Sequence, residues 1–465
     1  MKSFLKETKN SGLTYLIFKY NYYNKYAGVT FMKSNNYSEI EPFEISSIRP
    51  PTENSSLTFR LTRNCYWNRC GFCPVYKTGS RFSKRTIEDV EKDISRAKVI
   101  DNLLMEKGIS GTASSSYSEQ SLYSLIADVK RERFKSGRIL SLHEKSNDLE
   151  DSPGLDERMR WFLTWFKDNP TTEDSFTHVY TWRAGGGSTC FFGDADSLIL
   201  KPDFIARASS LTKENFPSIN RITIYGRTKS AAKLRTPADL KIFAASGINR
   251  VHFGLESGSD RVLELVTKGE TSDDHIKGAL KVKDSGISCS VYVMPGLGGK
   301  ALSEENGTET ARVLNAIEPD FVRLRTLEIF PGTGLDAMLR NGTFTVADEE
   351  DVVKEIRTIV SETSCRTEIV SDSATNLLNI NGTLPFDRER MLRIIDAYLS
   401  LTRREKLEFS LRSRIESFMG QYGGLTEDIH AVLSPYIRRG MLDISDAGDS
   451  RLIEITTVIR GKLMP

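Results

Sequence analysis

No stretch of these 465 residues approaches the apolar length a membrane-spanning helix needs, and neither sign of charge is in excess: 64 Lys and Arg face 62 Asp and Glu, for a formal net charge of +2. This excludes a transmembrane protein and gives no basis for holding a polyanion by long-range attraction; a nucleic-acid role would need a local patch. Cysteine is scarce, six in all, too few for a disulfide scaffold. The leading residues Met1-Lys2-Ser3-Phe4-Leu5-Lys6-Glu7 form neither an apolar secretory core nor an Arg-rich, acid-poor transit peptide, so the expectation is a cytoplasmic chain. No internal repeat is present. What remains, 39% hydrophobic and 27% charged, suits a globular protein of about three domains or one large α/β barrel with additions.

Along the chain, residues 1–50 end in the stiff Arg49-Pro50-Pro51 and suit an N-terminal cap. A strand over Leu57–Thr62 precedes a helix that begins after Thr86. Residues 100–176 suit a helical insert with a basic run from Lys130 to Arg138, most simply a solvated helix face. Beyond Trp182, short strands alternate with helices: Ser188–Phe192, Arg221–Tyr225, Arg250–Gly254, Cys289–Met294 and Phe321–Ile329 alternate with Lys201–Asn215, Pro237–Ala245, Asp260–Val266, His275–Asp284 and Ser303–Ala316. With the first strand this makes six units, so the expected fold is α/β, a partial (β/α)6 TIM-like barrel over residues 51–340. Residues 341–465 are expected to be mostly helical, with no strand patterning from Asp348 to Arg439.

Half of the cysteines fall within nine residues: Cys65-Tyr66-Trp67-Asn68-Arg69-Cys70-Gly71-Phe72-Cys73. A structural zinc site needs four protein ligands, and no fourth Cys or His is near. Three thiols and no histidine favour an iron–sulfur cluster with one iron left open; catalytic zinc and buried unliganded thiols are the alternatives. Ligands of parallel α/β folds gather beyond the carboxyl ends of the strands. There the chain reads Phe192-Gly193-Asp194, Tyr225-Gly226-Arg227, His252-Phe253-Gly254-Leu255-Glu256-Ser257-Gly258 with Lys268 following, Tyr292-Val293-Met294-Pro295-Gly296, and Arg323-Leu324-Arg325 before Phe330-Pro331-Gly332-Thr333. Asp194 has the ordinary alternative of capping a helix, Arg227 that of a surface residue, and Glu256 that of a satisfied rim carboxylate. His252 on its strand suits a core position better than that of a base.

The loop and these strand ends resemble the radical S-adenosylmethionine (radical SAM) superfamily, in the branch of the elongator catalytic subunit, methylthiotransferases and oxygen-independent coproporphyrinogen oxidases. The family's usual first gap has three residues; here there are four, Tyr66 to Arg69. The resemblance implies a [4Fe-4S] cluster on Cys65, Cys70 and Cys73, and S-adenosyl-L-methionine held by Phe72, Gly193, Asp194, Tyr225, Arg227, Glu256, Lys268 and Tyr292. Asp194 would take the methionine amino group, Arg227 a carboxylate or substrate anion, and Glu256 the ribose hydroxyls or methionine end. The implied activity is reductive cleavage to a 5′-deoxyadenosyl radical that abstracts hydrogen from a small-molecule or peptide substrate. Electrons would come from a low-potential donor such as flavodoxin or ferredoxin. A tRNA-modifying enzyme, suggested by Lys130–Arg138 and Arg403–Arg414, and a non-catalytic electron-transfer or sensing protein are the rival readings.

Overall fold

The structure is a computed structural model that describes residues 37–46, 49–77, 81–109, 116–144 and 169–463. Most of the expected N-terminal cap, and the Gly111–Ser115 and 145–168 parts of the expected insert, lie outside the described residues. Two compact units are distinguished, one over Asn36–Leu399 and one that takes in Ser400–Met464.

The first unit is built on an eight-stranded sheet. Strands β1 (Leu57–Arg60), β4 (Thr189–Gly193), β5 (Arg221–Gly226), β6 (Ile248–Glu256), β7 (Ser288–Val293), β8 (Phe321–Leu324) and β9 (Thr367–Val370) run parallel in that order, and β10 (Gly382–Leu384) closes the edge antiparallel. β1 and β10 are not paired, so the sheet is open, as an incomplete barrel requires. The intervening β2 (Thr62–Arg63) and β3 (Ser83–Lys84) form a short antiparallel pair that brackets the cysteine loop.

The helices begin where sequence chemistry places them. Thr86, Ser259, Thr271 and Thr333 each accept a backbone N–H of the first turn, and Thr171, Thr236 and Asp348 form full capping boxes. The helix Pro237–Ser246 has proline at its first position and Gly247 at φ 102° after its last. Such caps fix where each strand hands over to its helix, and hence where the strand-end residues point.

Two expectations need correction. The C-terminal region contains strands: β9 extends the parallel sheet to seven and β10 adds the eighth, while Ile437–Arg438 and Met441–Leu442 pair as a small hairpin. These segments are only two to four residues long, and half of β9 is polar, so neither alternation nor an apolar run marks them. The strand expected to reach Ile329 ends at Leu324, because the Asn376 side chain accepts from Thr326 N at 2.9 Å and donates to Leu324 O at 2.8 Å, replacing ladder bonds.

In the second unit, helix Arg403–Tyr422 packs on helix Asp449–Arg460, and Tyr422 Oη donates to Lys462 O at 2.8 Å. Thr402 starts the first of these with a capping box.

Candidate metal and cofactor site

The cysteine loop leaves β1 under tight control. Arg60 Nε donates to Asp194 Oδ2 at 2.6 Å, Asn64 N donates to the same oxygen at 3.2 Å, and Ser46 Oγ donates to Oδ1 at 3.2 Å. Asp194 is thus wholly buried, and its carboxylate holds the entrance of the loop. Gly193 beside it has no room for a side chain, since a Cβ would lie 1.8 Å from Ser46 Oγ. Within the loop, Asn68 Nδ2 donates to Tyr76 O at 2.6 Å, and Lys77 Nζ donates to Asn68 O at 2.5 Å. Gly71 bonds on both sides, its N–H to Val266 O and its carbonyl to Leu335 N, each at 2.8 Å. Trp67 donates to Thr267 O at 2.9 Å and packs where Gly269, at φ 71°, leaves space. The loop is therefore pinned to the segment after β6 across about two hundred positions of sequence.

Phe72 is buried among Val262, Val266, Met294, Leu297, Leu327, Leu335 and Phe344, with Cys70 and Cys73 packed against that cluster. Burial pushes the Cys70 thiol up and that of Cys73 to about 12; the positive charges of Lys268 at both thiols and of Arg227 at Cys70 act the other way. The charge of Cys65 acts on both of these thiols, and that of Cys70 on Cys73, each raising it further. Among the described residues, no three Cys, His, Asp or Glu side chains are gathered closely enough to enclose an ion as they stand. Fit is therefore judged on donor chemistry: three sulfur donors on one loop, next to buried cations that offset thiolate charge, suit an anionic iron–sulfur cluster.

Lys268 Nζ stands 3.2 Å from Glu256 Oε1, 3.8 Å from Glu270 Oε2 and 5.9 Å from the Phe72 ring centroid. Burial disfavours its charge, but the two carboxylates outweigh that and hold it raised. Arg227 Nε lies 3.3 Å from Glu270 Oε2, an Arg227 terminal nitrogen donates to Lys268 O at 2.5 Å, and the guanidinium sits over Trp67 at 5.0 Å and Tyr66 at 5.5 Å. Glu270, although buried, is held down at about 2 by Lys268 and Arg227. Glu256 adopts φ 67° at an irregularity in the β6–β7 register, where β6 re-aims its last carboxylate. Gly254 makes room for it: a Cβ there would lie 2.4 Å from Glu256 Oε1 and 3.0 Å from Lys268 Nζ.

The sequence-derived residues fall into three places. Phe72, Arg227, Glu256 and Lys268 surround the cysteine loop; Gly193 and Asp194 anchor its start; Tyr225 and Tyr292 lie on the face of β5 and β7 with ring centroids 6.5 Å apart. His252 sits between them as a buried core residue, its basicity lowered to about 4 by desolvation. Sequence reading passed over Glu270 and Asp196. Each lies two residues beyond a residue it did name, Lys268 and Asp194, a spacing that could have drawn attention. Asp196 accepts from Ser230 Oγ at 2.5 Å and Arg227 N at 3.1 Å, and burial raises it to about 7.

The first basic run is paired off with carboxylates. Lys130, Arg131, Arg133, Lys135 and Arg138 pair with Glu173, Asp128, Glu144, Glu132 and Glu41 respectively. In the second, Arg403 and Arg404 meet Asp449 and Glu408 and Arg414 is buried, while Arg412 is exposed. No described helix is long and apolar enough to cross a membrane.

Residues 167–306 match the family model described as the Radical SAM superfamily. The chain is 30% identical over 111 residues to the tRNA uridine(34) acetyltransferase of Methanocaldococcus infernus, covering 24% of this chain and 21% of that protein. It is 24% identical over 198 residues to the mouse (Mus musculus) mitochondrial radical S-adenosyl methionine domain-containing protein 1, covering 40% and 42%. It thus spans about a fifth of the length of the first of these and less than half of the second. Among solved structures, methylornithine synthase (PylB) aligns at 12% identity and TM-score 0.36 over 76% of this chain and 84% of that one. The archaeal Methanocaldococcus infernus Elp3 with an N-terminal deletion aligns at 19% and 0.34 over 55% and 59%. The family match runs from the helix before β4 to the helix after β7, across the strand ends that carry Asp194, Arg227, Glu256 and Lys268, so it is this stretch of the chain that is similar to the radical SAM superfamily.

Proposed function

We propose that this chain cleaves S-adenosylmethionine reductively at a [4Fe-4S] cluster held by Cys65, Cys70 and Cys73 and uses the product radical to take hydrogen from a substrate on the inner face of its sheet. The observation that carries the reading is the packing of the three-thiol loop against the buried Lys268–Glu256–Glu270–Arg227 charge network. The cluster and cofactor together would supply a low-potential electron and a scissile sulfonium. The chain's own residues would bind and orient: Glu256 offers acceptor oxygens for hydroxyl or ammonium donors, and Arg227 and Lys268 offer positive charge to a carboxylate. Phe72 and its apolar neighbours exclude water from that side. A flavodoxin- or ferredoxin-like protein is the proposed electron source, and a cytoplasmic, oxygen-poor setting suits the chemistry.

The test is anaerobic reconstitution with iron and sulfide, followed by iron counting and assay of 5′-deoxyadenosine under dithionite. Wild type should hold about four irons and form 5′-deoxyadenosine; Cys65→Ala, Cys70→Ala and Cys73→Ala should each lose both properties. A variant that keeps both would refute the ligand set. Iron retention with no cofactor cleavage in wild type would favour an electron-transfer or sensing protein. The tRNA-modifying alternative draws support from the partial similarity to a tRNA uridine(34) acetyltransferase, while the paired charges of the Lys130–Arg138 run weigh against it. Retention of total tRNA by the reconstituted protein at moderate salt would favour it.

A further inference from the structure

The inner face of the sheet carries more positive charge than its own acidic groups neutralise. Registered neighbours in a parallel sheet share a face, so the pairs Tyr225–His252, His252–Ser290, Gly254–Tyr292 and Tyr292–Arg323 line one side of β5 to β8. Aromatic rings close up there, with centroids 4.9 Å apart for Phe191 and Tyr225 and 5.9 Å apart for His252 and Tyr292. The Arg325 guanidinium lies 5.3 Å from the Tyr292 centroid, a stacking that holds its planar fork in place.

Nearby carboxylates are already committed. Asp372 meets Arg323 at 2.9 Å, and Glu53 meets Arg221 at 3.0 Å. Among the described residues, Arg325 has no carboxylate within ion-pair distance. The same face holds buried polar atoms without hydrogen-bond partners: Tyr292 Oη, Ser290 Oγ and both ring nitrogens of His252. Buried polar atoms without partners are costly unless a ligand completes them.

We infer that the substrate carries an anionic group, a carboxylate or a phosphate, held by Arg325 and oriented by the Tyr292 hydroxyl, with the aromatic wall of Phe191, Tyr225 and Tyr292 against its apolar part. The inference rests on the proposed function only in taking this face as the substrate side. A guanidinium matches either anion in a two-point contact, and the tyrosine wall favours a compact molecule with an apolar body.

The test is isothermal titration of the reconstituted full chain with benzoate, phenyl phosphate and neutral benzamide, alongside equilibrium dialysis of S-adenosylmethionine. Wild type should bind benzoate or phenyl phosphate saturably, the tighter of the two naming the group, and benzamide at least about tenfold more weakly. Arg325→Gln should weaken the anion about tenfold or more, with Arg325→Lys restoring part of it. Should Arg325→Gln not fold, Tyr292→Phe serves, with a loss of about threefold or more expected. Saturation by neither anion, equal binding of benzamide, or unchanged affinity in a folded Arg325→Gln or Tyr292→Phe variant would overturn the inference. Cofactor binding without anion binding would remove this inference and leave the proposed function standing; anion binding without cofactor binding would do the reverse.

Discussion

Arg60 and Asp194, 134 positions apart, form a 2.6 Å ion pair that ties the end of β1 to the end of β4 with both side chains withdrawn from solvent. The same carboxylate takes the backbone N–H of Asn64, one residue before Cys65. It therefore links the sheet to the direction in which the cysteine loop sets out. Burial alone would raise Asp194, and Arg60 is the chief counterweight.

Removing one partner of a buried pair leaves the other charge uncompensated, at a cost of about 3 kcal/mol or more. Asp194→Ala should accordingly lower the stability of the first unit by about that amount in urea unfolding, and should reduce iron retention even where folding is complete. A variant as stable as wild type that lost only S-adenosylmethionine binding would instead mark Asp194 as a ligand of the cofactor.

How much of this was legible in the sequence depends on the range of the interaction. The cysteine loop, the Gly254-Leu255-Glu256-Ser257-Gly258 segment and the helix starts at Thr86, Thr236 and Thr271 are local patterns, and six parallel strands follow from them in order. The partners of those residues are not local. Asp194 reads as an N-cap or a cofactor ligand until Arg60 is seen beside it, and nothing local marks Glu53, which is buried and bonded to Arg221 and Thr223. β9 and β10 escaped because their pairing is set by β8 and the Asn376 clip rather than by their own composition.

Gly254→Ala separates fold from function. Its added methyl would displace the Glu256 carboxylate and the Lys268 ammonium, which are the ends of flexible side chains, so stability should fall by only about 1 kcal/mol. Affinity for S-adenosylmethionine, measured by equilibrium dialysis on reconstituted protein, should fall about tenfold or more. Unchanged affinity would remove the Glu256–Lys268 pair from the cofactor site.

Glu53 predicts an acid limit. Despite its burial it is held at about 2, below its ordinary 4.5, by the His252 ring 3.9 Å away, by a hydrogen bond from Ser56 and by the charge of Arg221. A depressed carboxylate contributes stability that is present above the unfolded value and lost as pH falls from about 4.5 toward 2. Glu53→Gln should be less stable than wild type at pH 7 by about 2 kcal/mol. The gap should close on acidification, and a gap that stays constant from pH 7 to pH 3 in thermal melts would contradict the assignment.

Glu355 predicts the opposite slope. Its carboxyl, buried with no cation beside it, accepts from Gly296 N at 3.1 Å, Ser303 Oγ at 3.0 Å and Asn306 Nδ2 at 2.6 Å, and burial raises it to about 8. Below about pH 4.5 the folded and unfolded chains both keep this proton. Between there and about 8 the unfolded chain releases it while the folded chain keeps it, so stability falls as pH rises and the loss is complete above the folded value. Glu355→Gln cannot ionise and keeps only one carbonyl acceptor, so it should start less stable at pH 5 and gain on wild type up to pH 8.5. Melting curves that stay parallel across that range would mean that Glu355 ionises normally in the folded protein, and that the glycine turn after β7 is held by a carboxylate rather than by a neutral acid.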